Sequence, residues 1–131
     1  MNFILHGIYQ GRIKTGDTLR EPKWTEKGML KKYDYILSDP PFGLTGWARE
    51  EAEADQYGRF KYGLPGKTAG DMAFLLHIIS SMKENGKAGI VVTNGLLSRG
   101  GVEQDIRRRL LEEDIIEAVV SLPGNLYMNT S

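Results

Sequence analysis

The fold of this chain is decided by one stretch, Tyr33-Asp34-Tyr35-Ile36-Leu37-Ser38-Asp39-Pro40-Pro41-Phe42, which joins a short apolar run to a stiff turn. The aromatic and β-branched residues of its first half favour a strand. Two consecutive prolines then end that strand, because proline has no backbone N–H to give to a sheet. The four residues Asp39, Pro40, Pro41 and Phe42, called the DPPF motif below, are therefore predicted to follow directly on a strand.

Two further strands are predicted downstream. One spans 88–94, a continuous apolar run of the kind that is buried on both faces of a sheet, and the other spans 115–122. A short strand is also predicted at 12–14. Residues 43–69 form a long glycine-rich connection without clear periodicity, and a loop of this length is usually functional or mobile.

Two helices separate these strands. The first begins at an N-cap on Asp71, carries apolar residues at helical spacing as far as Met82 and stops at Asn85-Gly86. The second spans about Val102 to Glu113. The alternation of strands and helices predicts an α/β fold with three main parallel strands at about 34–38, 88–94 and 115–122.

In a parallel sheet of this kind, ligands bind beyond the carboxyl ends of the strands. The loops after Ser38, Asn94 and Leu122 are expected to converge at that edge. The DPPF motif occupies the first of the three loops. We therefore expect the functional site at this edge of the sheet.

Composition excludes several classes of site. The 131 residues fit one domain, and the absence of cysteine with only two histidines excludes disulfides, thiolate metal sites and multi-histidine metal sites. No apolar run approaches the roughly 20 residues that span a bilayer, so we expect no membrane partner and a cytoplasmic location. Seventeen basic residues balance seventeen acidic ones, so the chain has no surplus of positive charge to neutralise phosphates. If nucleic acid is the substrate, most of the binding affinity would have to come from other parts of the assembly.

The DPPF motif suits methylation of an aromatic amine. Such a nitrogen attacks poorly until two acceptors, aimed at its two N–H bonds, draw it toward tetrahedral geometry and stabilise the developing positive charge. The Asp39 carboxylate and the Pro40 carbonyl can provide them, and the two prolines keep the turn stiff. Phe42 offers a flat face to a flipped base. The competing interpretation is that Pro-Pro only ends a strand. A motif of this type arises by chance in about one chain of this length in a few hundred, and its location after a strand makes a chance occurrence rarer still.

The chain resembles the methylation (modification) subunit of type I restriction–modification systems. The resemblance rests on the DPPF motif with its strand, and on further segments in the family's order: Leu5-His6-Gly7-Ile8, Gly16-Asp17-Thr18-Leu19, Gly86-Lys87-Ala88-Gly89 and Leu122-Pro123-Gly124-Asn125-Leu126-Tyr127. It implies a Rossmann-like fold and methyl transfer from S-adenosylmethionine to N6 of adenine in DNA. The implied partners are DNA and the specificity and restriction subunits of the same system.

The resemblance also implies roles for single residues. Asp39, Pro40, Pro41 and Phe42 would be catalytic; Asp17, Phe74 and Asp39 would contact the cofactor; Phe42 and Tyr127 would stack on the target base. The alternatives are an ordinary turn aspartate at 17, a core aromatic at 74 and a tail tyrosine at 127.

The chain departs from the family in two respects. Asp39 stands where the family more often has Asn, although both present an acceptor oxygen. The sequence contains no Gly-x-Gly pair, so the family's glycine-rich cofactor loop is missing. We therefore expect residues 1–131 to be an internal fragment of the catalytic domain, without that loop or the final strand, and inactive when isolated. Strand 115–122 is then expected to pair directly with 88–94, to pair with another copy of the chain, or to be poorly placed.

Other functions stay open. The same motif can serve methylation of a protein glutamine or of an RNA base, and the chain could be a non-catalytic docking scaffold. A P-loop at 63–68 is not supported, because Lys61 stands where the motif requires glycine. Acidic neighbours make the arginines at 107–109 more typical of a solvated helix face. His77 is expected to be packed or half-exposed rather than a catalytic base.

Overall fold

The computed structural model describes residues 2–124 and 126. Its elements follow the chain in this order: α1 (Asn2–Leu5), β1 (Thr25–Glu26), β2 (Met29–Leu30), β3 (Tyr33–Ser38), a 3₁₀ helix (Glu51–Ala54), α2 (Gly70–Ser81), β4 (Met82–Ile90), α3 (Asn94–Ser98) and α4 (Val102–Glu112). No helix of this described part is long and apolar enough to cross a membrane.

The central feature is a parallel pair formed by β3 and β4. Ile36 lies opposite Ala88 and Ser38 opposite Ile90, and α2 connects the two strands. The strand before the DPPF motif is confirmed. The connection from β3 to β4 includes α2, and the DPPF motif lies in the loop between Ser38 and α2. The motif is therefore located at the carboxyl edge of the sheet. The short β1 and β2 pair separately as an antiparallel hairpin.

The second strand differs from the prediction. It begins at Met82 and ends at Ile90, instead of spanning 88–94. Asn85-Gly86, the predicted helix stop, lies inside this strand, where the pairing register is irregular between Tyr33 and Tyr35. The expectation of burial on both faces is also wrong. Ala88 and Gly89 of β4 are exposed, and on the neighbouring β3 Tyr35 and Leu37 are 81% and 90% exposed.

The third predicted strand, 115–122, is absent from the described structure. Within that part, Ile115 donates its N–H to the Leu110 carbonyl, and no backbone hydrogen bond is formed by 116–122. Contact with β4 is instead made by an ion pair between Lys87 Nζ and Glu117 Oε1, at 2.7 Å. A strand requires a neighbour about 4.8 Å away, and a side-chain bridge spans a wider gap. Of the three outcomes expected for this segment, direct pairing with 88–94 is wrong, since residues 115–122 form no strand in the described structure.

The two predicted helices are confirmed, with one correction at the start of α2. Ala69 occupies the N-cap position and Asp71 is the second residue of the helix, so Asp71 is not the N-cap. The second helix, α4, begins at Val102 as predicted and buries Ile106 and Leu110. The short α3 was not predicted, since five residues carry too little periodicity.

Two apolar clusters hold these elements together. The first joins α2 to α4 through Met72, Leu76, Ile106 and Leu110. The second joins α2 to the long connection through Leu19, Trp47, Ala52 and Ala73. Trp47 also donates its indole N–H to the Gly66 carbonyl at 2.9 Å. The 43–69 connection is thus packed into the core, and this packing fixes the walls of the site described next.

Candidate active site

A cleft of about 620 Å³ lies beyond the carboxyl end of β3, where the sheet topology predicts a site. This volume falls in the range of small-molecule sites, which span roughly 300–1,000 Å³. Three segments form its walls: the turn before β1, the end of β3 with the following loop, and one side of α2. The lining residues are Gly16, Asp17, Thr18, Ser38, Asp39, Pro40, Pro41, Leu44, Phe74, His77 and Ile78.

The DPPF motif forms one wall of this cleft. Asp39 and Pro41 are exposed while Pro40 is buried, and all three line the cleft. Phe42 follows as a half-buried residue. The chain then turns at Gly43, whose φ of +63° lies in the left-handed region that favours glycine. The motif therefore presents its aspartate to solvent from an anchored turn.

Asp17 lies in the wall formed by the turn before β1 and caps its own turn. Its Oδ1 accepts hydrogen bonds from the N–H groups of Leu19 and Arg20, each at 3.0 Å, and its Oδ2 lies 3.5 Å from Arg20 Nε. These contacts are typical of an ordinary turn aspartate, which was the alternative to a cofactor-binding role for Asp17. They also fix the carboxylate at the cleft, so a cofactor contact by Asp17 stays a prediction.

Phe74 belongs to both the cleft and the core. It lines the cleft from α2 and packs, half-buried, against the cluster that contains Leu19, Trp47 and Ala73. The two sequence interpretations, cofactor contact and core aromatic, are thus compatible in one ring. The ring therefore packs against the cluster that joins the helix to the long connection, and it also forms part of the cleft wall.

His77 lies one helical turn after Phe74 and also lines the cleft. Its Nδ1 is buried and has no hydrogen-bond partner among the described residues. Burial, and secondarily the nearby positive charge of Arg59, lowers the pKa of His77 to about 4. The side chain is therefore a neutral imidazole near pH 7, in agreement with the packed or half-exposed histidine expected from the sequence.

A buried ion pair behind the Asp17 turn was missed by sequence reasoning. Asp55 and Arg59 lie 2.8 Å apart between Oδ1 and Nε, and Arg59 reaches the Thr18 carbonyl at 3.4 Å. The pair thus links the long connection to the turn that forms the wall of the cleft. The spacing of four residues was visible in the sequence, but the same spacing is common in exposed pairs.

Asp71 was also missed, because an acidic residue at a helix start was interpreted as an N-cap. Its buried carboxylate accepts hydrogen bonds from Gly43 N–H at 3.2 Å and from Thr93 Oγ1 at 2.7 Å. It therefore contacts the loops that follow both parallel strands. Nothing in local sequence could have indicated these distant partners.

The arginines on α4 only partly match the solvated face expected for them. Arg108 pairs with Asp105 on the surface, at 2.6 Å. Arg109 donates to the Tyr62 carbonyl at 2.9 Å, and Arg107 donates to the Leu96 carbonyl at 3.0 Å. Two of the three therefore donate to backbone carbonyls elsewhere in the chain. Tyr127, predicted to stack on a base, lies outside the described residues.

Comparison with known proteins adds an independent line of evidence. A family model described as N-6 DNA Methylase matches residues 1–131. The MjaVIII type I restriction enzyme methylase subunit of Methanocaldococcus jannaschii is 37% identical over 138 residues, covering 98% of this chain and 23% of that subunit. The HindI methylase subunit of Haemophilus influenzae is 33% identical over 132 residues, covering 99% of this chain and 28% of that subunit. The chain thus spans about a quarter of these relatives.

A solved structure is similar as well. The methyltransferase subunit of a type I restriction–modification system from Streptococcus thermophilus superimposes with a TM-score of 0.86 at 37% sequence identity. The alignment covers 99% of this chain and 28% of that subunit. This likeness confirms the predicted fold class, a partial Rossmann-like α/β fold, and agrees with the resemblance drawn from the motifs.

Proposed function

Because this chain belongs to the N-6 DNA methylase family, we propose that the protein containing it transfers a methyl group from S-adenosylmethionine to N6 of adenine in DNA. It would do so as the methylation subunit of a type I restriction–modification system, together with DNA, a specificity subunit and a restriction subunit. The observation that carries this proposal is the common cleft of Asp17, Asp39, Pro40 and Phe74 at the carboxyl end of β3.

The residues at the cleft fit part of such a cofactor. An aromatic ring, Phe74, with the aliphatic side chains of Leu44 and Ile78, suits an adenine ring, and the nearby carboxylate of Asp17 suits polar or cationic groups. When bound, S-adenosylmethionine supplies an electrophilic methyl group. The sequence has no Gly-x-Gly pair, so we propose that this chain forms one side of the cofactor site and is inactive alone.

On the acceptor side, the DPPF motif would bind the amine of a flipped adenine. Asp39 and the Pro40 carbonyl would each accept one N–H, which favours tetrahedral geometry at the nitrogen as its positive charge develops. Asp39 is exposed at the cleft and so accessible to a substrate. The neutral His77 is not required as a base, because the amine can lose its proton after the methyl group is transferred.

The test uses the full-length protein with its specificity subunit, labelled S-adenosylmethionine and unmethylated genomic DNA. We expect N6-methyladenine among the nucleosides of the digested DNA. Asp39→Ala should reduce transfer at least about a hundredfold while cofactor affinity by calorimetry changes little, because the lost acceptor acts in the transition state. Label in protein glutamine or in RNA instead would contradict the DNA proposal, and full activity of Asp39→Ala would contradict the catalytic role.

The location of the protein follows from this proposal. Its substrate would be the cell's own DNA, so we place the protein in the cytoplasm. Among the described residues, one face of β3 is exposed and only one of its edges is paired, and we also propose that this allows isolated copies of the chain to associate. Gel filtration of the isolated chain over a range of concentrations would show a concentration-dependent mass if this is correct, and a constant monomer mass if it is not.

A further inference from the structure

We propose that Asp71 is a positioning residue that holds the DPPF motif in place for methyl transfer, an inference that rests on the proposed function. Asp71 does not line the cleft and so would touch neither cofactor nor base. Its influence on the reaction would pass through the backbone that follows Phe42. This role differs from those of the cleft residues, which would contact the reactants directly.

The contacts of Asp71 join two loops through one side chain. Oδ1 accepts the N–H of Gly43, the residue next to the motif, and Oδ2 accepts the hydroxyl of Thr93 after β4. The residue is only 3% exposed. Since β3 and β4 are neighbours, the carboxylate ties together the segments that leave the two parallel strands on the same edge of the sheet.

Close backbone packing makes these contacts possible. A Cβ on Gly70 would lie 2.7 Å from the Leu44 carbonyl oxygen, so only glycine lets the first turn of α2 approach the loop after the motif. Asp71, the next residue, is thereby within reach of Gly43. Gly43 itself has a left-handed φ of +63°, and its N–H donates to the Asp71 carboxylate.

The electrostatics of the position favour a carboxylate. Asp71 lies in the first turn of a twelve-residue helix, where the helix dipole stabilises negative charge. Two hydrogen-bond donors compensate for its burial, and bonds to a charged acceptor are stronger than neutral ones. Both hydrogen bonds therefore stabilise the buried side chain. Removing the carboxylate would leave the Gly43 N–H and the Thr93 hydroxyl without their acceptor.

The consequence for catalysis is a specific kinetic pattern. Loss of the anchor would let the motif shift relative to the other cleft wall, while Phe74 and Asp17 keep their own supports. Misplacement of catalytic acceptors by a fraction of an ångström lowers the rate of the chemical step more than it lowers substrate binding. The expected signature is a lower kcat with a nearly unchanged KM for S-adenosylmethionine.

The experiment compares Asp71→Ala, Asp71→Asn and Thr93→Val in the full-length protein with its specificity subunit. Asp71→Ala should lower kcat about tenfold or more, with less than about a twofold change in the donor KM. Asp71→Asn should recover most of the rate, because the amide oxygen accepts from Gly43 and the Thr93 hydroxyl can rotate to accept from the amide nitrogen. Thr93→Val, which removes one contact only, should lie between them.

Leu110→Ala serves as the matched control, since it truncates a fully buried side chain on α4 that does not line the cleft. It should lower Tm without lowering kcat. Equal losses of kcat in Asp71→Ala and Leu110→Ala would overturn the proposal, as would failure of Asp71→Asn to recover the rate. If Asp71→Ala does not fold, Thr93→Val decides the question alone by its kcat.

Hydrogen exchange separates this proposal from the proposed function. In the same full-length variants, Asp71→Ala should increase amide exchange in peptides covering 42–46, which contain the Gly43 N–H, and Leu110→Ala should not. Unchanged exchange in Asp71→Ala would overturn the anchoring role even in an active enzyme. Absence of any methyl transfer by the wild-type protein would instead refute the proposed function, while the exchange result still decides whether Asp71 holds the motif.

Discussion

Arg59 and Asp55 form an ion pair whose side chains are only 4% and 6% exposed, with Nε and Oδ1 2.8 Å apart. Arg59 also donates to the Thr18 carbonyl, at 3.4 Å, and its guanidinium lies over the rings of Tyr57 and Phe60. The pair therefore stabilises the turn that contains Asp17, through the hydrogen bond from Arg59 to the Thr18 carbonyl. It is the least exposed of the ion pairs formed by the described residues.

Removing one partner of this pair should be costly. Arg59→Ala leaves the Asp55 carboxylate buried without its counter-ion, and we expect the free energy of unfolding to fall by about 3–5 kcal/mol. The double variant Asp55→Leu/Arg59→Met should lose less free energy of unfolding than Arg59→Ala, because no buried charge remains unpaired. Urea denaturation of the full-length protein measures both effects.

A matched control exists on the surface. Arg49 and Glu53 have the same spacing of four residues, with side chains 25% and 64% exposed. Glu53→Ala should cost less than about 1 kcal/mol, since exposed pairs contribute little. A loss as large as that of Arg59→Ala would show that burial is not what makes the Asp55–Arg59 pair important.

Phe74 should contribute to cofactor affinity. Replacing it with Ala removes an aromatic face at the cleft, and stacking on a base of this kind is worth roughly 1–3 kcal/mol, so Kd for S-adenosylmethionine should rise about tenfold. The control is Leu75→Ala, the adjacent residue, which packs against the other apolar cluster. Calorimetry on the full-length protein measures both. Equal effects of the two variants would indicate loss of packing rather than loss of a cofactor contact.

His77 should make the protein sensitive to acid. Burial lowers its pKa to about 4 in the folded chain, below the ordinary value of 6.5. The unfolded state therefore binds a proton at a higher pH than the folded state, so this group lowers stability as pH falls from 6.5 to 4. The free energy of unfolding should fall by roughly 2–3 kcal/mol by the time the pH reaches 4.

The test of this pH dependence is His77→Leu. Denaturation curves of the full-length protein at several values between pH 4 and pH 7 should show a flatter dependence of stability in the variant. The charged neighbours Arg59 and Asp55 are retained in both proteins, so their contributions cancel in the difference. An unchanged slope would mean that His77 is accessible to protons in the folded protein.

Asp39→Asn should retain activity that Asp39→Ala loses. The amide keeps an oxygen acceptor in the same place, although a neutral acceptor is weaker than a carboxylate. We expect kcat within about tenfold of the wild type, in the methylation assay used for Asp39→Ala. Activity as low as that of Asp39→Ala would show that the negative charge itself is required.

The sequence by itself determined the parts of this protein that depend on local chemistry. Apolar spacing identified α2 and α4, and an aromatic and β-branched run ending in two prolines identified β3. The position of the DPPF motif at the carboxyl edge followed from these elements, because the motif comes directly after β3 and parallel strands all end at the same edge of a sheet. The family resemblance could also be recognised from the sequence, because each of its motifs is a short continuous stretch of residues.

Only the tertiary structure decided what depends on distant neighbours. Residues 115–122 have the composition of a strand, yet they form none within the described structure, because a strand requires a partner edge at hydrogen-bonding distance. Asp71 has the local context of an N-cap, but its partners lie 28 and 22 positions away, at Gly43 and Thr93. Sequence patterns report the preferences of a residue, whereas packing of α2 against the loops after β3 and β4 determines which groups that residue meets.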